Sequence, residues 1–299
     1  MVPFLLFASP LSSAPSGAVP GVVAPSLPSG SHASQARSLR LRRSVLDAGE
    51  SPKERLVWAD EFSKPGRPDP ASWTFETGFS RNEELQWYQA ANARVEGGNL
   101  VIEGRRERVP NPGYEAGSTD WRKKREFAEY TSACVKTMGL RTWQYGRFEI
   151  RAKIIAKPGL WPAIWTLGAE RPWPLCGEID IMEHYQNSLL ANTVYSKDGG
   201  IWETAKIPLA DITKGDPKWD QKFHVWRMDW DESSIKLSLD GRLLNETDTT
   251  NTRNPDGFNP FHQPHYILLN LAIGSTGGDP SGTEFPSRYE IDYVRVYQR

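Results

Sequence analysis

The chain is predicted to be all-β, an antiparallel sandwich of two sheets, and three observations carry that expectation. It holds 12 Trp, 10 Tyr and 11 Phe with 25 Gly and 23 Pro in 299 residues; aromatic side chains favour strands, and glycine and proline favour the turns between them. Short strand-like runs recur along it, separated by turn signals. No long stretch repeats with the 3.6-residue helical period.

Residues 1–36 contain no Asp, Glu, Lys or Arg and are dominated by Ser, Pro, Ala and Gly. Such a segment buries too little apolar area to fold. Its opening, Met1 to Ala8, reads as a short apolar export signal that lacks a positive start. Residues 1–53 are therefore expected to be a disordered leader, a signal plus linker, with the arginines of 37–43 a solvated part of it. The protein is expected to be secreted, periplasmic or held at the cell envelope. Structure should begin near Glu54, giving one β-sandwich domain over 54–299.

Leu56-Val-Trp58 opens the first patterned run. Asn99–Glu103 follows a Gly-Gly turn. Phe148, Ile150, Ala152 and Ile154 alternate with Glu149, Arg151 and Lys153, so one face is wet and the other buried. Phe223–Trp230 and Ile235–Leu239 are further strands, and Trp226 and Trp230 on the first suit a core. Asp240-Gly241 then leads into Arg242–Leu244, a hairpin signal, because a type I′ turn needs positive φ at both central positions. His265–Ile273 is nearly all apolar and reads as a central strand covered on both faces. Tyr289–Tyr297 closes the chain.

A net charge of −1, from 36 basic and 37 acidic residues, argues against a nucleic-acid partner, which needs a basic face. No apolar run reaches the ~18 residues of a membrane helix. Two cysteines make neither a disulfide scaffold nor a four-thiolate zinc site. A monomer is expected.

The chemistry concentrates in Gly177-Glu-Ile-Asp-Ile-Met-Glu-His184. On a regular strand Glu178 and Asp180 share one face and the isoleucines the other, but Glu183 then points inward. An unpaired buried carboxylate costs several kcal/mol. One extra residue, a β-bulge, resolves the conflict: Met182 joins the isoleucines beneath the sheet and Glu183 returns to the acidic face. Crowding and burial raise the pKa of at least one member. A pair of carboxyls about 5–5.5 Å apart suits a retaining glycosidase, one attacking the anomeric carbon and the other serving as acid and then base. A solvated acidic face or a cation site is the alternative reading of the trio alone. Upstream, Trp161, Ala163 and Trp165 share a strand face, and two indoles flanking a small residue form a platform for a sugar ring. His184 reads as a loop or rim residue.

Tyr145-Gly-Arg-Phe-Glu-Ile-Arg-Ala-Lys, Gly159-Leu-Trp-Pro-Ala-Ile-Trp-Thr-Leu and Gly177-Glu-Ile-Asp-Ile-Met-Glu resemble glycoside hydrolase family 16. Weaker matches run from Leu56-Val-Trp-Ala-Asp-Glu-Phe62 through Asn82-Glu-Glu-Leu-Gln-Trp-Tyr88 to the closing strand. The resemblance implies a β-jelly roll with a concave substrate cleft and retaining hydrolysis of internal β-glycosidic bonds. By motif position it implies Glu178 as nucleophile, Glu183 as acid/base and Asp180 as their hydrogen-bonded partner. Trp161 and Trp165 would line the donor-side sugar site, and Asn82 would meet a sugar hydroxyl. The extra Met182 is similar to the laminarinase-type branch. No catalytic cofactor is implied. A structural Ca²⁺ is, held by Glu61, the backbone of Gly98 and Asp292, against the plain reading of surface carboxylates. Where many relatives carry an arginine this chain has Cys134, which puts a cationic sugar contact in doubt; a Cys134–Cys176 disulfide stands as a minority alternative to two free thiols.

The expected substrate is a polysaccharide, β-1,3-glucan or mixed-linkage β-1,3/1,4-glucan. The alternatives are action on agar- or galactan-type polymers, glycosyl transfer in place of hydrolysis, and a non-catalytic sugar-binding sandwich.

Overall fold

The computed structural model describes residues 54–196 and 198–299; the leader expected over residues 1–53 lies outside them. Alternation becomes strand wherever it was read. Gly146–Lys153 buries Phe148, Ile150 and Ala152 completely while its charged neighbours stay at the surface. It lies antiparallel to His224–Trp230 with Ile150 opposite Trp226, and both Trp226 and Trp230 are core. Ser234–Leu239 turns into Arg242–Asp248 through Asp240 at φ 48° and Gly241 at φ 81°, the double positive φ that Asp-Gly anticipates. This last strand runs further than Leu244, because ladder pairing to Ser234–Leu239 continues to Asp248.

Most of the strands among the described residues form two antiparallel sheets. One runs in the order Arg242–Asp248, Ser234–Leu239, His224–Trp230, Gly146–Lys153, Ser287–Gln298, Asn99–Gly104, Ala93–Glu96, with Arg55–Asp60 also pairing to Ser287–Gln298. The other runs Ile201–Pro208, Ser188–Tyr195, Glu178–Tyr185, Leu160–Gly168, His265–Ile273, Cys134–Lys136, Thr74–Phe75. His265–Ile273 is central and almost wholly buried, as its continuous apolar run required. Residues from both sheets, among them Phe148, Trp226, Ile179, Leu269 and Val294, form one apolar cluster between them. Each large side chain so buried contributes about 1.5–3 kcal/mol. A one-residue slip would turn a whole face outward, which fixes the register.

The core keeps His265 neutral. Its Nε2–H donates to the Pro260 carbonyl and its Nδ1 accepts from the Thr166 hydroxyl, and burial lowers its pKa to about 4.

Candidate active site

Glu178–Tyr185 carries the acidic motif, and the bulge lies where the sequence required it. Against Leu160–Gly168, Ile164 pairs with Met182 and the next partner, Trp165, pairs with Asp180, skipping Ile181. Ile179, Ile181 and Met182 are all fully buried in the inter-sheet core. Glu178, Asp180 and Glu183 therefore share the opposite face and line one cavity with Arg81, Asn82, Trp161 and Trp165. Gly177 sets the strand's start: at φ 74° it brings its Cα so near Pro260 that a Cβ would lie 2.8 Å from the proline Cβ.

The three acids have different environments. The Trp161 indole N–H donates to Glu183 Oε1 at 2.8 Å, and the Asn192 amide donates to Glu183 Oε2 at 2.8 Å and Asp180 Oδ2 at 3.1 Å. Burial, and then the nearby Glu178 charge, push Glu183 up to about 8. Asp180 is pushed well above the carboxylate range by burial and by both glutamates. Glu178 is also raised by burial, but three groups pull it back: a hydrogen bond with Asp180, an N–H bond from Trp173, and the Arg81 cation. Glu178 is thus the member best supported as an anion, while Glu183, like Asp180, keeps a proton at neutral pH.

The expected two-indole platform is corrected. Trp161 is partly open and meets Tyr185 edge-on, with ring centroids 5.1 Å apart. Trp165 is only 7% exposed. The Arg81 guanidinium lies 5.0 Å from its ring, paired with Glu76, and the indole N–H donates to Asn270 Oδ1 at 2.7 Å. Trp165 therefore supports an arginine instead of offering a bare face. Asn82 lines the cavity with its amide 3.3 Å from Glu84 Oε1.

Cys134 is buried in a small cluster with Tyr88, Ala163, Trp165 and Leu268. Both cysteines are free, so the disulfide alternative is absent. Arg81, from the loop before Gln86–Tyr88, supplies a cation on this side of the site. His184 is not a rim residue. It faces the core at 1% exposure, with neither ring nitrogen hydrogen-bonded to protein, and burial lowers its pKa to about 4.

The calcium expectation does not fit the residues as arranged. Both Glu61 oxygens take the Arg295 guanidinium at 2.8 Å, and Asp292 pairs with Arg151. Gly98 sits in the tight turn between Ala93–Glu96 and Asn99–Gly104. Arginines already neutralise both carboxylates, and among the described residues no cluster of three or more ligating side chains occurs.

Sequence reasoning missed Asn192, Trp173 and Arg81. Asn192 is reachable in principle from the ladder, since it lies opposite Asp180. The other two lie on loops, where side-chain direction has no period to read. A larger cavity of about 450 Å³, lined by Glu54, Tyr145, Asp229 and Asp231 among others, lies elsewhere. Its acids are engaged by Arg147, Arg227 and the Ser233–Ser234 turn, so it lacks free carboxylate chemistry.

The family model for glycosyl hydrolases family 16 matches residues 89–295. A β-glucanase of Rhodothermus marinus is 36% identical over 271 residues, covering 83% of this chain and 87% of that protein. The chain spans only 34% and 38% of two other curated relatives. Among solved structures, the laminarinase catalytic domain of Thermotoga petrophila is 34% identical with TM-score 0.67, covering 82% of this chain and 98% of that one. A structure from work on endo-acting O-glycanases that initiate mucin breakdown in the human gut microbiota is 35% identical with TM-score 0.74, covering 82% and 91%.

Proposed function

This chain belongs to glycosyl hydrolases family 16, and on that premise we propose that it cleaves internal β-glucan bonds by a double displacement with retention of configuration. It is a glycoside hydrolase of the endo-β-glucanase kind. One observation supports the mechanism above the rest: three carboxylates on one bulged face whose surroundings drive their protonation apart. Such divergence assigns acid and base.

In the first step a Glu178 oxygen attacks the anomeric carbon while the glycosidic C–O bond breaks, and Glu183 gives its proton to the departing oxygen. Trp161 and Asn192 hold the Glu183 carboxyl in place. The glycosyl ester neutralises Glu178. That removes a charge which had raised Glu183, whose pKa falls as it becomes the base. In the second step Glu183 takes a proton from water, the water oxygen attacks the same carbon, and Glu178 leaves as a carboxylate. Asp180, protonated between the two, donates to Glu178.

The substrate we favour is β-1,3-glucan or mixed-linkage β-1,3/1,4-glucan. Reducing-end release from laminarin and barley β-glucan by wild type, with a loss of ~10³-fold or more in Glu178→Gln, is the expected result. Undiminished release by the variant removes Glu178 from the role. The likeness to a structure from work on mucin-directed endo-acting O-glycanases supports a second reading, action on a mucin-type O-glycan. Release from such a polymer but from neither glucan decides for it. Export is part of the proposal, since a long polysaccharide is met outside the cell; glucanase activity confined to the cytoplasmic fraction would contradict it.

A further inference from the structure

The cleft face extends past Glu178–Tyr185 to an edge of its sheet. Glu178 lies opposite Val194, and Val194 opposite Trp202; Asp180 continues through Asn192 to Thr204. Directly opposed residues of an antiparallel ladder project from the same face. The Asn192 amide reaching both Asp180 and Glu183 shows this directly. Ile201–Pro208 therefore carries Trp202 and Thr204 on the face of the three acids, with Trp202 two strand spacings, about 10 Å, from the Glu178 row.

Trp202 is 49% exposed, yet its ring is oriented, because the indole N–H donates to the Gly199 carbonyl at 3.2 Å. Trp173, 50% exposed, donates its indole N–H to Glu178 from the loop before the acidic strand. Their segments meet around Gly200: a Cβ there would lie 3.6 Å from the Cβ of Pro174, the residue after Trp173, and 3.6 Å from the Trp202 Nε1. Two half-open indoles thus lead outward from Glu178, on the side away from Trp161 and Trp165. An apolar ring face beside fixed polar groups suits one ligand chemistry, the C–H face of a pyranose whose hydroxyls bond at its rim.

We propose that Trp202, with Trp173, forms a further saccharide subsite at the sheet edge, which holds a distal unit of the polymer whose bond is cut at Glu178. Its occupant is the continuation of the chain already in the cleft. This rests on the reading of the site as a β-glycan hydrolase.

Two measurements test it separately from that reading. In gels containing laminarin or barley β-glucan, Glu178→Gln should be retarded, and Glu178→Gln/Trp202→Ala retarded about five- to tenfold less by apparent affinity. In kinetics, Trp202→Ala should lower the ratio of kcat/KM on polymer to kcat/KM on a short aryl β-glycoside by a similar factor, through KM, and Trp202→Tyr should restore most of it. An unchanged ratio overturns the proposal, including the case in which both activities fall together because Trp202 is only structural. A dimer-to-monomer change in Trp202→Ala with polymer binding intact overturns it in favour of a second copy on this edge. Failure of wild type to cut any β-glycan would sink the hydrolase reading instead, and the gel shift would show that apart.

Discussion

Glu178 and Glu183 are the same residue type on the same strand, and only their neighbours distinguish the tasks proposed for them. Glu183 is raised to about 8 by burial and by the Glu178 charge, so it holds the proton that the proposed mechanism gives to the leaving group. The basic limb of kcat/KM should therefore fall near pH 8, well above an ordinary carboxylate, as free enzyme loses that proton. A rate still rising through pH 9 contradicts Glu183 as donor. His184, one residue on, faces the core with no protein partner for either nitrogen. Its folded pKa, about 4, lies below the unfolded value of about 6.5. The unfolded chain thus binds the proton first, and stability at this position is complete above about pH 6.5 and lost as pH falls through 4. His184→Leu should gain about 1–3 kcal/mol at pH 7 by removing unsatisfied nitrogens, with the gap over wild type widening between pH 6.5 and 4. Calorimetric melting of both proteins across that range checks it; a gap that narrows as pH falls is the contrary result.

At the scale of the element, the acidic strand joins two demands that a regular strand cannot meet together. Three carboxylates must face the cleft while Ile179, Ile181 and Met182 fill the core, and the bulge at Ile181–Met182 satisfies both. Met182→Ala should cost about 2–5 kcal/mol, the usual range for emptying a buried long side chain. A melting curve that does not move would mean Met182 is not the wedge described. This element was readable from sequence because burying Glu183 is so unfavourable that only a bulge fits. Trp165 was misjudged for a complementary reason. Its strand face was right, but a side chain from a distant loop, Arg81, covers it, and no strand period reveals what a loop lays over a neighbour. Trp173 escaped for the same reason, whereas the arginine partners of Glu61 and Asp292 lie on strands and were missed because the pairing of strands far apart in sequence cannot be read locally.

Across the whole molecule, period-two alternation and turn residues were enough to anticipate two antiparallel sheets, because each strand hides one face and the sandwich is how two such faces meet. The order of strands within each sheet was not anticipated, since pairing of segments far apart in sequence leaves no local mark. The sandwich gives the site a rigid floor: the acidic strand is held by ladders to Leu160–Gly168 on one side and Ser188–Tyr195 on the other. In the proposed mechanism this floor presents a nucleophile and a proton donor to opposite ends of one displacement, repeated twice. Proton NMR of the first products released from a soluble β-glucan, recorded before mutarotation, reads the stereochemistry of that displacement. Retention puts the β-anomer of the new reducing end first and the α-anomer only later. An α-anomer formed first would show a single inverting displacement and contradict it.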